Sequence, residues 1–282
     1  MKKLLLLLCI CLLAVPMLST AEEKIYVALG DSITTGYGLA KDEKGFAQLL
    51  AEEKGYALTN LAVNGATAKD VSRLLSRKSV QYTVAKADFI TLTCGGNDLM
   101  GLIFTQAAEA FNALSPAKIN AGQVSQILAD PNDGRQTALL GVLQQLLLGS
   151  ENIPAFADSP VMDAALDAFV TNLTDIIAKI RAVNPDAVII VSTQYNPFAF
   201  FSDAYEPLAA SLDKGVKKLS DAIEENAQTA GYKVADAYGA FAASPDNLCC
   251  AHMHPFNPDP HPNVRGHAVL AECFSGVIDS LP

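Results

Sequence analysis

The chain has 282 residues, half of them hydrophobic, and carries 20 Lys and Arg against 30 Asp and Glu, a formal net charge of −10. That acidic balance disfavours nucleic acid and anionic membrane surfaces as partners, because both are bound through basic patches. It selects no substrate.

Lys2-Lys3, the apolar run from Leu4 to Leu18 and the small residues Ser19-Thr20-Ala21 have the three-part pattern of a secretory signal, with cleavage expected after Ala21. The reading places the protein in a secreted or extracytoplasmic location. Removing residues 1–21 takes away Lys2 and Lys3 and no acid, leaving 261 residues with 18 basic against 30 acidic, net −12. That length suits one α/β domain over residues 22–282. No later apolar run is long and charge-free enough to span a bilayer.

The first expected strand is Ile25–Leu29, with a helix behind it at Phe46–Lys54. A second strand is expected at Leu58–Val63. An amphipathic helix follows at Ala68–Ser76, with Val71, Leu74 and Leu75 on one face. Phe89–Thr93 reads as a third strand, and Ala187–Thr193 ("AVIIVST") as a fourth, a near-continuous buried run. Val234 marks a weak fifth, and a helix over Val264–Ile278 starts after Pro262. Strands separated by helices imply a parallel sheet covered on both faces.

The segment from about 99 to 160 breaks that rhythm. It holds helical material such as Ala138–Leu148 and turn-like stretches such as "DPNDG" at 130–134, far more chain than a βα connection requires. It is expected to be a helical insertion, and two readings of it stand open. It packs over the sheet, or it forms a lid that supplies apolar substrate contacts.

Ligands of an open parallel sheet gather at the carboxyl ends of its strands. Four polar, glycine-rich turns fall at such ends or near the C-terminus: "GDSITTG" (30–36), "NLAVNGAT" (60–67), "CGGND" (94–98) and "DPHPN" (259–263). Each alone is a weak signal, since turns are commonly built of Gly, Asn, Asp and Ser. Their occurrence together and in this order is far more specific. A serine hydroxyl is a weak nucleophile near neutral pH and needs an adjacent base. The carbonyl it attacks develops an oxyanion, for which one preorganised donor contributes roughly 3–4 kcal/mol.

The four blocks resemble those of the SGNH family of GDSL-type esterases and lipases. The matches are Gly30-Asp31-Ser32 (with Ile33 in place of Leu), Asn64-Gly65, Gly95-Gly96-Asn97-Asp98 and Asp259-Pro260-His261-Pro262-Asn263. The resemblance implies a three-layer α/β/α, flavodoxin-like fold with about five parallel strands and the helical insertion after the third. It implies Ser32 as nucleophile, His261 as general base and Asp259 as its orienting carboxylate. It also implies an oxyanion hole of the Ser32 N–H, the Gly65 N–H and the Asn97 side-chain amide. No metal and no organic cofactor follow from it. The substrate expected is a small-molecule, lipid or acylated-carbohydrate ester.

One departure stands out. The commonest family spacing is Asp-x-x-His, whereas Pro258 occupies that position here and Asp259 lies two residues before His261. Either Asp259 orients His261 through the turn, or a backbone carbonyl does so. Two other readings of the same blocks stay open, an acyltransferase using the same acyl-serine and a ligand-binding protein that has lost catalysis.

The remaining candidates have blander readings. His267 is expected to pack or cap the last helix. His252 and His254, with Asp259, form a candidate metal set lacking a fourth ligand. Asp31 and Asn64 are expected to shape their loops, and Asp98 to cap a helix or fix a turn. Of the cysteines beyond the signal, Cys249-Cys250 offers a disulfide to Cys273, against free buried thiols for these and Cys94.

Overall fold

The computed structural model describes residues 23–149, 155–201, 206–252 and 257–282; the expected signal, 1–21, lies outside them. Strand β1 (Ile25–Leu29) and helix α2 (Phe46–Lys54) fall where the sequence places them, joined through a short helix α1 (Ser32–Thr35). Strand β2 spans Ala57–Asn60, shorter than the Leu58–Val63 expected. Asn60 causes the early end. Its Oδ1 accepts a hydrogen bond from the Ala62 N–H (3.0 Å), and the Val63 N–H donates to the Gly30 carbonyl (3.0 Å), bending the chain toward the turn after β1. Helices α3 (Ala68–Leu74) and α4 (Lys78–Val84) lead to β3 (Phe89–Leu92).

Between β3 and β4 (Val188–Ser192) lie α5 (Gly96–Leu114), α6 (Ala121–Ala129), α7 (Gln136–Leu148), a 3₁₀ turn (Phe156–Asp158) and the long α8 (Pro160–Val183). Helix α9 (Glu206–Ala230), β5 (Lys233–Ala235), α10 (Ala237–Ala243) and α11 (Val264–Asp279) complete the chain. The five strands are all parallel, in the order β2-β1-β3-β4-β5.

Successive side chains of a strand point to opposite faces, and the two cores follow from that alternation. Val27 and Leu29 of β1, with Ile90, Leu92, Ile189 and Val191, enter one apolar cluster with α3, α4, α8 and α9. Tyr26 and Ala28, with Phe89 and Ile190, enter the other, against Phe46 and Leu50 of α2 and Leu270 and Phe274 of α11. The result is a three-layer α/β/α sandwich. The helical insertion belongs to the first layer, since Phe111, Val124, Ile127, Leu139 and Leu143 are buried in the same cluster as the sheet.

In this strand order the connections diverge on either side of the β1–β3 pair, which leaves a crevice at the carboxyl ends of those two strands. The turns that leave them are Gly30–Gly36 and Cys94–Asp98.

Candidate active site

The turn after β1 is built around Gly30. Its φ of +138° is open only to glycine, and a Cβ there would lie 2.5 Å from both the carbonyl and hydroxyl oxygens of Thr93. Asp31 caps α1. It is only 2% exposed, and its Oδ1 accepts from the Ile33 N–H (3.0 Å) and the Thr93 hydroxyl (2.9 Å). Thr93 also pairs with the Thr34 hydroxyl at 2.7 Å, so β3's end is pinned to the β1 turn. Burial pushes the Asp31 carboxyl up to about 6, against the lowering effect of those hydrogen bonds and of His261. Helix α1 has four residues and supplies little dipole; what it offers at Ser32 is local N–H groups.

Ser32 meets His261 across the chain. The Ser32 hydroxyl lies 2.8 Å from His261 Nε2, and His261 Nδ1 lies 2.5 Å from Asp259 Oδ1. A carboxylate only accepts, so Nδ1 carries the proton and Nε2 is free to accept from the serine. The same Asp259 oxygen also accepts from the His261 backbone N–H at 3.0 Å. This double use answers the spacing question: at two residues' distance the carboxylate still reaches Nδ1, and among the described residues no backbone carbonyl stands in its place. The His261 hydrogen bond, ahead of other effects, holds the Asp259 carboxyl below its ordinary range.

The loop is tied on several sides. Cys250 N–H donates to the His261 carbonyl (2.8 Å), the Tyr195 hydroxyl to the Pro260 carbonyl (3.1 Å), and Cys249 bridges Pro262 in antiparallel fashion. Asn263 caps α11 through Gly266 N–H (3.0 Å) while its amide donates to the Asn247 and Cys249 carbonyls. Tyr37, 52% exposed, lays its ring 4.8 Å from that of His261.

The other two blocks border the serine turn. Asn64 accepts from the Thr35 hydroxyl (2.5 Å), and the Asn60 amide donates to the Thr34 carbonyl (2.8 Å). Gly65 follows with φ +75° and open space where a Cβ would be. Asn97, on the first turn of α5, donates one amide hydrogen to the Ala66 carbonyl at 3.1 Å and keeps a second. Among the described residues neither the Ser32 nor the Gly65 N–H is hydrogen-bonded within the protein. Asp98 accepts from the Ala68 N–H (3.0 Å) and so caps α3, as a turn-and-cap residue should; burial raises its carboxyl.

Against known proteins, residues 28–269 match the GDSL-like lipase/acylhydrolase family. The chain belongs to that family. It resembles protein YpmR of Bacillus subtilis strain 168, 35% identical over 91 residues, 30% of this chain and 35% of the relative. It also resembles the spore germination lipase LipC of Bacillus licheniformis, 35% identical over 81 residues, 27% of this chain and 38% of the relative. The chain thus spans little more than a third of the length of the curated relatives it matches. The fold of the lipase Lip_vut3 from a goat rumen metagenome superposes with a TM-score of 0.59 at 21% identity, covering 90% of this chain and 96% of that one.

In this family member the other candidates sit apart from the serine. His267 is fully buried, accepts from the Phe46 N–H at 3.3 Å, and is pushed down to about 4 by burial, a neutral packing residue of α11. His252 pairs through its backbone with Asn257, and His254 lies outside the described residues. Among the described residues no group of three His, Cys, Asp or Glu is placed to hold a metal ion. Cys94, Cys249, Cys250 and Cys273 are free thiols, so the Cys273 disulfide does not form. Cys273 instead points at the Asp236 carbonyl (3.5 Å), while Cys249 and Cys250 are held on the His261 loop. Among the described residues no helix is long and apolar enough to cross a membrane.

A cavity of about 490 Å³ opens from Ser32, Asn97 and His261 and runs between the insertion and α9. The sequence offered no direct sign of its shape. Nor did it single out Thr93, Tyr37 or Gln194, whose side-chain amide donates to the Cys94 carbonyl (3.0 Å) and braces the third block. The Gly-Tyr-Gly run at 36–38 was the one available hint of Tyr37, since flanking glycines free an aromatic residue to lie across a neighbour.

Proposed function

We propose that the protein is an exported serine esterase, with residues 1–21 as its signal and 22–282 as the hydrolase domain, acting on carboxylic esters through an acyl-Ser32 intermediate. His261 takes the Ser32 proton as the hydroxyl oxygen attacks the ester carbonyl. The carbonyl oxygen becomes an oxyanion held by the Ser32 and Gly65 N–H groups and the second amide hydrogen of Asn97. Asp259 keeps the imidazole in the proton-accepting tautomer and stabilises the imidazolium that forms. His261 then passes the proton to the departing alkoxide, and the acyl group stays on Ser32. In the second half His261 takes a proton from water as it attacks the acyl-enzyme carbonyl, then returns that proton to the Ser32 oxygen as the acid leaves.

The observation that carries this reading is the continuous hydrogen-bonded line from Ser32 through His261 to Asp259, 2.8 Å and 2.5 Å. Family membership and the family name supported by residues 28–269 point the same way. The test is p-nitrophenyl acetate turnover by the protein beside Ser32→Ala and His261→Ala, with fluorophosphonate labelling of Ser32. Loss of turnover by at least a thousandfold in both variants, with labelling abolished in the first, is the expected result. Undiminished turnover in Ser32→Ala would exclude the serine mechanism.

A further inference from the structure

The cavity beside Ser32 has a length, a wall chemistry and a direction. Helix α5 starts at the site and carries Asn97, Met100 and Phe104 along one flank of the cavity. The seven helical steps from Asn97 to Phe104 cover about 10 Å. On the opposite flank α9 runs the other way. Leu219 marks its site end, since a Cβ on Gly95 would lie 3.0 Å from a Leu219 methyl, and Gly215 and Ser211 follow outward. From Leu219 to Ser211 is about 12 Å.

Beyond Ser32, Asn97 and His261 at its mouth, the wall is mainly apolar and its few polar side chains each already make a hydrogen bond. The Ser211 hydroxyl donates to the Leu147 carbonyl (2.5 Å), the Ser125 hydroxyl to the Gly122 carbonyl (3.5 Å) and the Gln194 amide to the Cys94 carbonyl. A sugar in the chamber would lose water from its many hydroxyls and find too few partners along this wall to replace it, which is costly. An alkyl chain loses nothing there and gains by leaving water.

The direction follows from the proton transfers proposed above, on which this inference rests. The leaving alcohol has to lie within reach of His261 Nε2, and the flank of His261 is covered by the half-exposed Tyr37. His261 also borders the chamber mouth, but its Tyr37 side is open to water while Asn97 leads into the apolar wall, so the alcohol lies toward solvent and the acyl part enters the chamber. An extended alkyl chain advances about 1.3 Å per C–C bond, so 10–12 Å accommodates about eight to nine carbons. We propose that the cavity walled by α5, α7 and α9 is an acyl chamber, and that the preferred substrates are esters of unbranched acids of about eight to ten carbons.

Gly215 makes the proposal testable. It lies in the interior of α9, and a Cβ there would meet only the Met162 methyl, at an ordinary 3.9 Å. Gly215 is one turn, about 6 Å, from Leu219. A leucine in its place would close the chamber to chains beyond four or five carbons.

The experiment measures kcat/KM on p-nitrophenyl esters from acetate to palmitate for the protein and for Gly215→Leu, with circular dichroism to confirm folding. Leu143→Trp on α7 serves as a second blocking variant should Gly215→Leu misfold. Thermal unfolding with and without decanoate runs in parallel. The expected profile rises about fourfold per methylene and levels at eight to ten carbons. In Gly215→Leu it levels near four, and the octanoate-to-butyrate ratio falls about 250-fold. A decanoate-induced rise in Tm, lost in Gly215→Leu, is expected alongside. Turnover of acetate with a flat or falling profile would overturn the chamber and leave the esterase standing. No turnover of any ester would overturn the esterase. The decanoate effect then judges the chamber alone, and its absence overturns that as well.

Discussion

Replacing Asp31 by asparagine should make the stability of this protein less dependent on pH. The wild-type carboxyl is buried against Ile33 N–H and the Thr93 hydroxyl, and burial raises it from 3.8 to about 6. A carboxyl that holds its proton more tightly when folded favours the fold at low pH and costs stability as pH rises. The cost begins near 3.8, grows through about 6, and is then complete. Two pH units at 1.36 kcal/mol each give a full cost of about 3 kcal/mol. About 1 kcal/mol of it is already present at pH 4.5, so about 2 kcal/mol develops between pH 4.5 and 7.5. The amide of Asp31→Asn would keep an oxygen for Ile33 and Thr93 and carry no charge to bury. Any packing penalty of the amide is the same at both pH values and cancels in the difference. Urea unfolding of both proteins at the two pH values measures it directly. The variant should gain about 2 kcal/mol on the wild type between them. A change under about 0.5 kcal/mol would show that the Asp31 site does not raise its carboxyl, and the account of this turn would have to be rebuilt.

Three further changes probe the same loops. Gly30→Ala should destabilise the fold by about 3–5 kcal/mol, from its positive φ and from a Cβ placed against Thr93; a urea midpoint shift worth less than about 1 kcal/mol would contradict that. Asp259→Asn should leave KM for short esters near its starting value and lower kcat by roughly 10³–10⁴, because an amide can hold the wrong His261 tautomer. Steady-state kinetics with the folded variant decides it, and a loss under tenfold would make the carboxylate incidental. Asn97→Ala should cost about 10²–10³ in kcat, read in the same assay, and a kcat within threefold of wild type would remove Asn97 from the oxyanion hole.

How far the sequence could be read depended on how local the cause was. Ile25–Leu29 and Phe46–Lys54 are found at the expected residues. Their limits are set within the chain, by glycine turns and by an apolar pattern of the right period. The four blocks were legible as a set because their residue types are constrained by chemistry as well as by packing. β2 was overread because Leu61 and Val63 continue the apolar pattern past Asn60, whose side chain turns the backbone; Val63 ends up half-exposed. The insertion's helical character was plain in "ALLGVLQQLLL", but its role was not. Whether Leu143 faces the sheet, the solvent or a cavity depends on where α9 lies, and α9 is about seventy residues further along the chain. The short Asp-x-His spacing was ambiguous for a similar reason: one atom, Asp259 Oδ1, serves two donors, which no residue pattern announces.

That two-residue spacing also decides how the site should fail. In the proposed triad, acid and base share a single turn, while the serine is 229 residues away from the histidine and attached to a different strand. Loosening the sheet or α11 by heat is therefore expected to keep the Asp259–His261 pair together and to draw it off Ser32 as a unit. The vulnerable joint is the 2.8 Å contact between hydroxyl and imidazole. Activity lost on mild warming should then return on cooling, since nothing within the pair has to be rebuilt, and small molecules that fill the space between Ser32 and His261 should protect it. If the proposed triad operates, the compact turn places its thermal weak point in one hydrogen bond.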